Sequence, residues 1–210
     1  QCAATWGGGA YVSGYPDKAP TGVTHCQIVS NSAFGGGGVT IQSDTSGGYV
    51  QNCVIQHNTS GSDAGGVYIY HVGAIRNCLI TDNVAMNDDG GGIHIDAGSM
   101  GAYVENCTIT GNRAPIAGGI GYVVSGADVK NSIVWGNSNG NWAGGTYTHC
   151  CIEPASPGTG NISSDPLFVN AAAGDYRLQG GSPCLNGGTN SGWMAAAVDL
   201  DGNPRIAGGS

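Results

Sequence analysis

Positive charge is what this chain has least of: six Lys and Arg stand against fourteen Asp and Glu among 210 residues, a formal net charge of −8. A nucleic-acid partner is therefore not expected, because phosphate backbones are held by a basic footprint. A polybasic contact with a membrane surface is not expected either. Charge of both signs is thin, 10% of residues against roughly 25% in an ordinary soluble domain, so Asn, Ser, Thr and Gly must carry the surface. No apolar run approaches the ~20 residues that span a bilayer, so direct insertion is not expected, and no signal peptide is visible. No stretch has the 3.6-residue periodicity of an amphipathic helix. No composition break argues for a second domain.

Glycine, by contrast, is abundant, at forty residues against a usual share of ~7%. The glycines alternate with Val, Ile and Tyr at regular intervals, so they read neither as collagen nor as a flexible linker. They belong to a repeat. Val50-Gln51-Asn52-Cys53-Val54-Ile55-Gln56-His57-Asn58 returns as Ile75-Arg76-Asn77-Cys78-Leu79-Ile80-Thr81-Asp82-Asn83 and as Val104-Glu105-Asn106-Cys107-Thr108-Ile109-Thr110-Gly111-Asn112. Looser copies lie at residues 23–31 and 129–137, and the Cys or Ser positions are spaced by 27, 25, 29 and 25 residues. After each closing Asn comes a glycine pair and an alternating apolar run, as in Gly37-Gly38-Val39-Thr40-Ile41, Gly65-Gly66-Val67-Tyr68-Ile69 and Gly91-Gly92-Ile93-His94-Ile95.

Short runs of period-2 alternation rich in Val, Ile, Thr and Tyr are strands. On a ~25-residue period they predict an all-β, right-handed parallel β-helix, a solenoid in which one repeat makes one coil. A propeller blade needs ~40 residues and is disfavoured. Residues 1–154 are expected to be the coils, and 155–210 an irregular C-terminal cap of the same domain.

Stacking the coils turns repeat positions into columns. Cys26, Cys53, Cys78, Cys107 and Ser132 share a face with Ile28, Ile55, Ile80, Ile109 and Val134, which makes that face the interior. Val23, Val50, Ile75, Val104 and Val129 have the opposite parity, so the chain must bend between. The bend falls on His25, Asn52, Asn77, Asn106 and Asn131, because Asn tolerates the left-handed conformation and can hydrogen-bond its copy one coil away. The outward column beside it reads Thr24, Gln51, Arg76, Glu105, Lys130, an expected ladder of solvated ion pairs worth at most ~1 kcal/mol each.

The tail motifs Asp165-Pro166-Leu167-Phe168-Val169, Gly174-Asp175-Tyr176-Arg177-Leu178, Gly181-Ser182-Pro183-Cys184 and Asp199-Leu200-Asp201-Gly202-Asn203-Pro204-Arg205 resemble those of secreted bacterial right-handed β-helix repeat proteins. The internal Gly-Gly-Ile and Asn repeats are similar, less closely, to polymorphic outer-membrane proteins. The resemblance implies a large surface or secreted polypeptide without an assigned activity, of which this chain is a piece. A minority of β-helix folds are polysaccharide lyases or hydrolases.

No catalytic signature accompanies that resemblance. Asp88-Asp89, with Asp82 and Asp96, is the acidic cluster of the coils, but the Gly-His-Gly and Arg-x-Lys motifs of polygalacturonase-like enzymes are missing. A lyase base is poorly supplied by Lys18, Lys130 and Arg76. No residue is assigned as catalytic, no cofactor is expected, and the cysteine spacing fits no zinc pattern. Asp199, Asp201 and Asn203 alternate as in a calcium loop but lack its Gly and Glu in register. On the outward face Tyr68, Tyr70, His71, His94 and Asp96 cluster as a strip able to stack on sugar rings. Trp135 is an isolated outward aromatic with the same potential, covered alternatively by the 138–143 loop and Trp142.

Eight cysteines beside two lysines suit an extracellular or cell-surface protein. Cys26–Cys53 and Cys78–Cys107 bonds are as compatible with the spacing as a buried thiol stack. Cys150 or Cys151 with Cys184 would staple the cap. Sequons stand at Asn58, Asn106 and Asn161, of which the corner residue Asn106 is the less available acceptor and Asn58 the best. Two readings of function follow. The first is a non-catalytic structural or binding module that self-associates into a fibre or surface layer through its coil ends or lateral faces; no capping helix precedes Cys2. The second is a carbohydrate-active enzyme or a glycan-binding module.

Overall fold

The computed structural model describes residues 3–14, 19–96 and 101–206. Three parallel sheets run the length of a β-helix. Gln27–Val29, Val54–Gln56, Leu79–Thr81, Thr108–Thr110, Ile133–Trp135 and Cys151–Ile152 form the six-stranded sheet. Ala3–Trp6, Ser32–Gly35, Thr59–Ser60 and Val84–Ala85 form the four-stranded one. The eight-stranded sheet includes the long strands Val39–Gln51, Val67–Arg76 and Ile120–Lys130. Registers are those of the repeat: Ile28 pairs Ile55, Ile55 pairs Ile80, Ile80 pairs Ile109 and Ile109 pairs Val134.

The interior is built from the expected columns. Val50, Ile75, Val104 and Val129 are fully buried, as are Ile55, Ile80 and Ile109. Cys53, Cys78 and Cys107 are buried beside them, and Cys26 at the first rung is exposed. The bend residues His25, Asn52, Asn77, Asn106 and Asn131 have φ of 54°, 54°, 50°, 56° and 51°, the left-handed conformation a one-residue corner requires. The short coil after Ser132 keeps the same columns, with Tyr147 opposite Val129 and Ile152 opposite Val134.

Hydrogen bonding between corner copies goes only part of the way. His25 and Asn52 are linked at 2.9 Å and Asn77 donates to Asn52 at 2.6 Å. Asn106 and Asn131 turn instead to the tail. The continuous ladder is the other asparagine column. Asn31, Asn58, Asn83, Asn112 and Asn137 each donate Nδ2 to the Oδ1 one coil on, the last to Asn141, at 2.8–3.2 Å. The backbone N–H of each donates to that same oxygen at 2.9–3.0 Å. Asn58, Asn83 and Asn112 are fully buried, so this polar rail is enclosed by the apolar core and fully satisfied within it.

The carboxy-terminal residues do two things. Residues 157–162 close the last coil: His149 N–H donates to Thr159, Ile152 to Ile162 and Ile162 to Cys150 at 2.8–2.9 Å. The rest returns along the outside. After the hairpin of Phe168–Asn170 and Asp175–Leu178, the chain runs back over the corner column and meets three successive coils. Thr189 exchanges two hydrogen bonds with Asn131, Met194 Sδ receives Asn106, and Val198 and Arg205 both bond Asn77.

This return path corrects the expected charge ladder. Glu105, only 9% exposed, accepts from Ser191 Oγ and from Trp193 Nε1 at 2.6 Å, while Arg76 lies 3.8 Å away and stacks on the Trp193 ring. Lys130 pairs with Asp128 at 3.4 Å. Glu105 is a buried socket for the tail rather than a rung of solvated ion pairs.

Candidate functional site

The site grows out of one corner. Gly7, Gly36, Ala64, Gly90 and Ala117 occupy equivalent positions at the join of the four-stranded and eight-stranded sheets, all with φ between 43° and 65°. The residues just before them form a column: Trp6, Gly35, Asp63, Asp89 and Ile116. A Cβ on Gly35 would sit 2.3 Å from the Trp6 ring, so the glycine is what lets the indole lie flat across the coil below.

From there an aromatic ridge crosses onto the eight-stranded sheet. Trp6 meets Phe34 edge-on at 6.4 Å and Tyr68 at 5.3 Å. Tyr68 stacks on His94 with centroids 4.9 Å apart and planes within 3°. Beside it Tyr11 donates to Gln42, which pairs in register with Tyr70, and Tyr70 packs on His71 at 4.1 Å. Trp6, Tyr11, Phe34 and Tyr70 are 36–59% exposed, four open rings around the buried Tyr68 and His94.

Carboxylates border the ridge. Tyr68 Oη donates to Asp96 at 2.8 Å and His94 Nδ1 lies 2.5 Å from Asp89. Burial, reinforced by Asp96, raises the Tyr68 phenol far above its ordinary range, so it stays a donor. Asp63 lies half-buried near Asp88 of the next coil; burial raises its carboxyl above the ordinary value, Asp88 adds to this and His94 opposes it. Thr40 Oγ1, in the same column as Tyr68, is buried without a partner.

Of the residues expected on this face, Tyr68, Tyr70, His71, His94 and Asp96 are together. Tyr68 and His94, however, are only 6% exposed, so they form the floor and Trp6, Phe34 and Tyr11 present the surface. Trp135 is elsewhere. It faces a cleft of about 560 Å³ under the tail hairpin with Phe168 and Tyr176, and Trp142 packs on Tyr147 instead. Sequence reading missed Trp6 and Phe34 because the columns were aligned on the Cys; aligning the chain on the glycine run would have exposed Trp6 beside Asp63 and Asp89.

Other assignments are corrected. Asn58 is an interior rung with no exposure and is no glycan acceptor, and Asn161 spends both amide hydrogens on Tyr147 and Ser156 and its oxygen on Cys150. All seven described cysteines are free thiols, and Cys2 and Lys18 lie outside the described residues. The thiol stack is favoured over bonds between coils, because in-register side chains point in parallel; Cys53, Cys78 and Cys107 each donate to the carbonyl two residues back at 3.2–3.3 Å. Asp199 Oδ1 is taken up by the N–H groups of Asp201 and Asn203 at 2.9 and 2.8 Å, a self-contained turn. Among the described residues no three His, Cys, Asp or Glu side chains are placed to hold a metal ion.

The family described as right handed beta helix region matches residues 1–153. The chain belongs to that family. Membership fixes the hand of the coils; the match ends at residue 153, leaving the segment that closes the last coil and the returning tail outside it. No curated protein and no solved structure matches the chain.

Proposed function

We propose that this β-helix is an extracellular, non-catalytic structural and binding module whose ridge takes a neutral glycan. The observation that carries the reading is the set of open rings at Trp6, Phe34, Tyr11 and Tyr70 beside a floor in which the Tyr68 hydroxyl is fixed on Asp96. Flat aromatic faces receive the apolar faces of sugar rings, and the carboxylates and amide around them accept hydroxyl protons. The ionisable groups acting on Asp63 and Tyr68 are carboxyls, His94 and Tyr70, an environment that disfavours uronates and sulfated sugars. Binding is preferred to hydrolysis because the Asp89 and Asp96 carboxyls at the ridge are already engaged by His94 and Tyr68.

Self-association belongs to the same reading. The carboxy-terminal coil end is occupied by residues 157–162, so a fibre or layer would grow from the other end or from the lateral faces.

Affinity electrophoresis through gels cast with neutral polysaccharides tests the binding. The native protein should be retarded by at least one neutral glycan, and Trp6→Ala should migrate freely at unchanged stability. Equal retardation of both proteins would remove the ridge from the account.

A further inference from the structure

We propose that Cys151 and Cys184 are a disulfide site, and that the bond between them fastens the returning tail to the last coil. Adjacent residues on a strand face opposite ways. Cys150 points inward, 1% exposed, with its thiol on the carbonyls of Val129 and Thr148 at 3.4 Å. Cys151 pairs in register with Ile133 and stands on the outer face, where its thiol donates to Ser164 at 3.1 Å. The tail delivers Cys184 to that spot. Ser182 Oγ receives the Cys184 N–H at 3.1 Å and donates to Pro166 at 2.6 Å, which fixes the approach of the chain. Both cysteines line the cleft of about 810 Å³ between the tail and the six-stranded sheet, Cys151 bonded to Ser164 and Cys184 led in past Pro166, and each thiol is the strongest influence on the other.

The contact is polarised. The Cys151 partner lowers the Cys184 thiol, and the same contact, with burial, raises Cys151. Cys184 is also the more exposed of the two. Its thiolate therefore attacks a low-molecular-weight disulfide first, displacing one thiolate and leaving a mixed disulfide. Cys151 then loses its proton to solvent and attacks the Cys184 sulfur, displacing the second thiolate. Two protein thiols are oxidised and one small disulfide is reduced to two thiols. Downstream of Cys184 lie all the contacts with Asn131, Glu105, Asn106 and Asn77, so the bond ties the strap at its root.

The test is made on a Cys2→Ser, Cys26→Ser background, which removes the thiol outside the described residues and the exposed one among them. The reduced protein is incubated with oxidised glutathione while folded, alkylated, and digested with trypsin without reduction. The expected result is an intact mass lower by about 2 Da before alkylation, and after digestion tryptic peptides 131–177 and 178–205 joined, with fragmentation placing the link on Cys151. The melting temperature should rise by roughly 10 °C over the reduced form. Cys151→Ser and Cys184→Ser should each abolish the link and equalise the oxidised and reduced melting temperatures. Full alkylation of Cys184 after oxidation, or a link from Cys184 to Cys150, would overturn the proposal.

Discussion

Asn58 and Asn83 are joined twice: the Asn83 Oδ1 accepts both the side-chain amide of Asn58 at 2.9 Å and its backbone N–H at 3.0 Å. Both residues are without solvent exposure, and the pattern is passed from coil to coil. Removing one rung strands donors on the coil before it and the Ile55 carbonyl that Asn83 Nδ2 serves at 2.9 Å. Unpaired buried polar groups cost roughly 1–3 kcal/mol each. Asn83→Ala should therefore destabilise by about 3–5 kcal/mol in urea unfolding. Asn52→Ala, at a half-open corner, should cost about 1–2 kcal/mol, mostly from the left-handed φ of 54° that Ala bears less well. Equal losses would mean that the interior rail holds no more than the corner does.

Tyr147 supplies a substitution of the opposite sign. It replaces the Val of earlier coils, is fully buried, and its hydroxyl has no partner. Tyr147→Phe keeps the ring against Trp142 and discards only the unpaired oxygen. Stability should rise by about 1 kcal/mol, read as a shift in urea midpoint at constant slope. A loss of stability would show that the hydroxyl is solvated or bonded in the folded protein.

Asp63 sets a pH dependence. Burial, together with Asp88, holds its folded-state pKa above the unfolded value near 3.8. A raised carboxyl favours the fold while protonated, so its contribution is complete below pH ~4 and is lost as pH rises through the folded value. Asp63→Asn should flatten that part of the melting profile and be at least as stable as the native protein at pH 7. A variant that loses most stability at pH 7 would reverse the sign.

Much of this was readable from the sequence because a solenoid writes its geometry as columns. The Cys and Ile ladders, the bends at residues 25, 52, 77, 106 and 131 and the parallel register all follow from parity. What parity cannot supply is the choice between two asparagine columns. Asn52 and Asn83 look alike in the repeat, and only the turn of the chain puts one inside and the other at the rim. Nor does a period reveal contacts made across it. Glu105 reads as one rung of a charge ladder until Ser191 and Trp193 arrive from more than eighty residues downstream. Trp6 was missed for a related reason, since its ring lies over Gly35 and reaches across to Tyr68 in another column.

The most direct test of the account is a titration of tryptophan fluorescence with matched neutral and uronic-acid oligosaccharides. Trp6 borders the ridge, so saturable change is expected with a neutral oligosaccharide, none with the uronate, and a loss of at least tenfold in affinity in Tyr70→Ala and Phe34→Ala. Trp6→Ala should abolish the signal. Tighter binding of the uronate, or an undiminished response in Trp6→Ala, would contradict the central claim that this aromatic ridge is a neutral-sugar site.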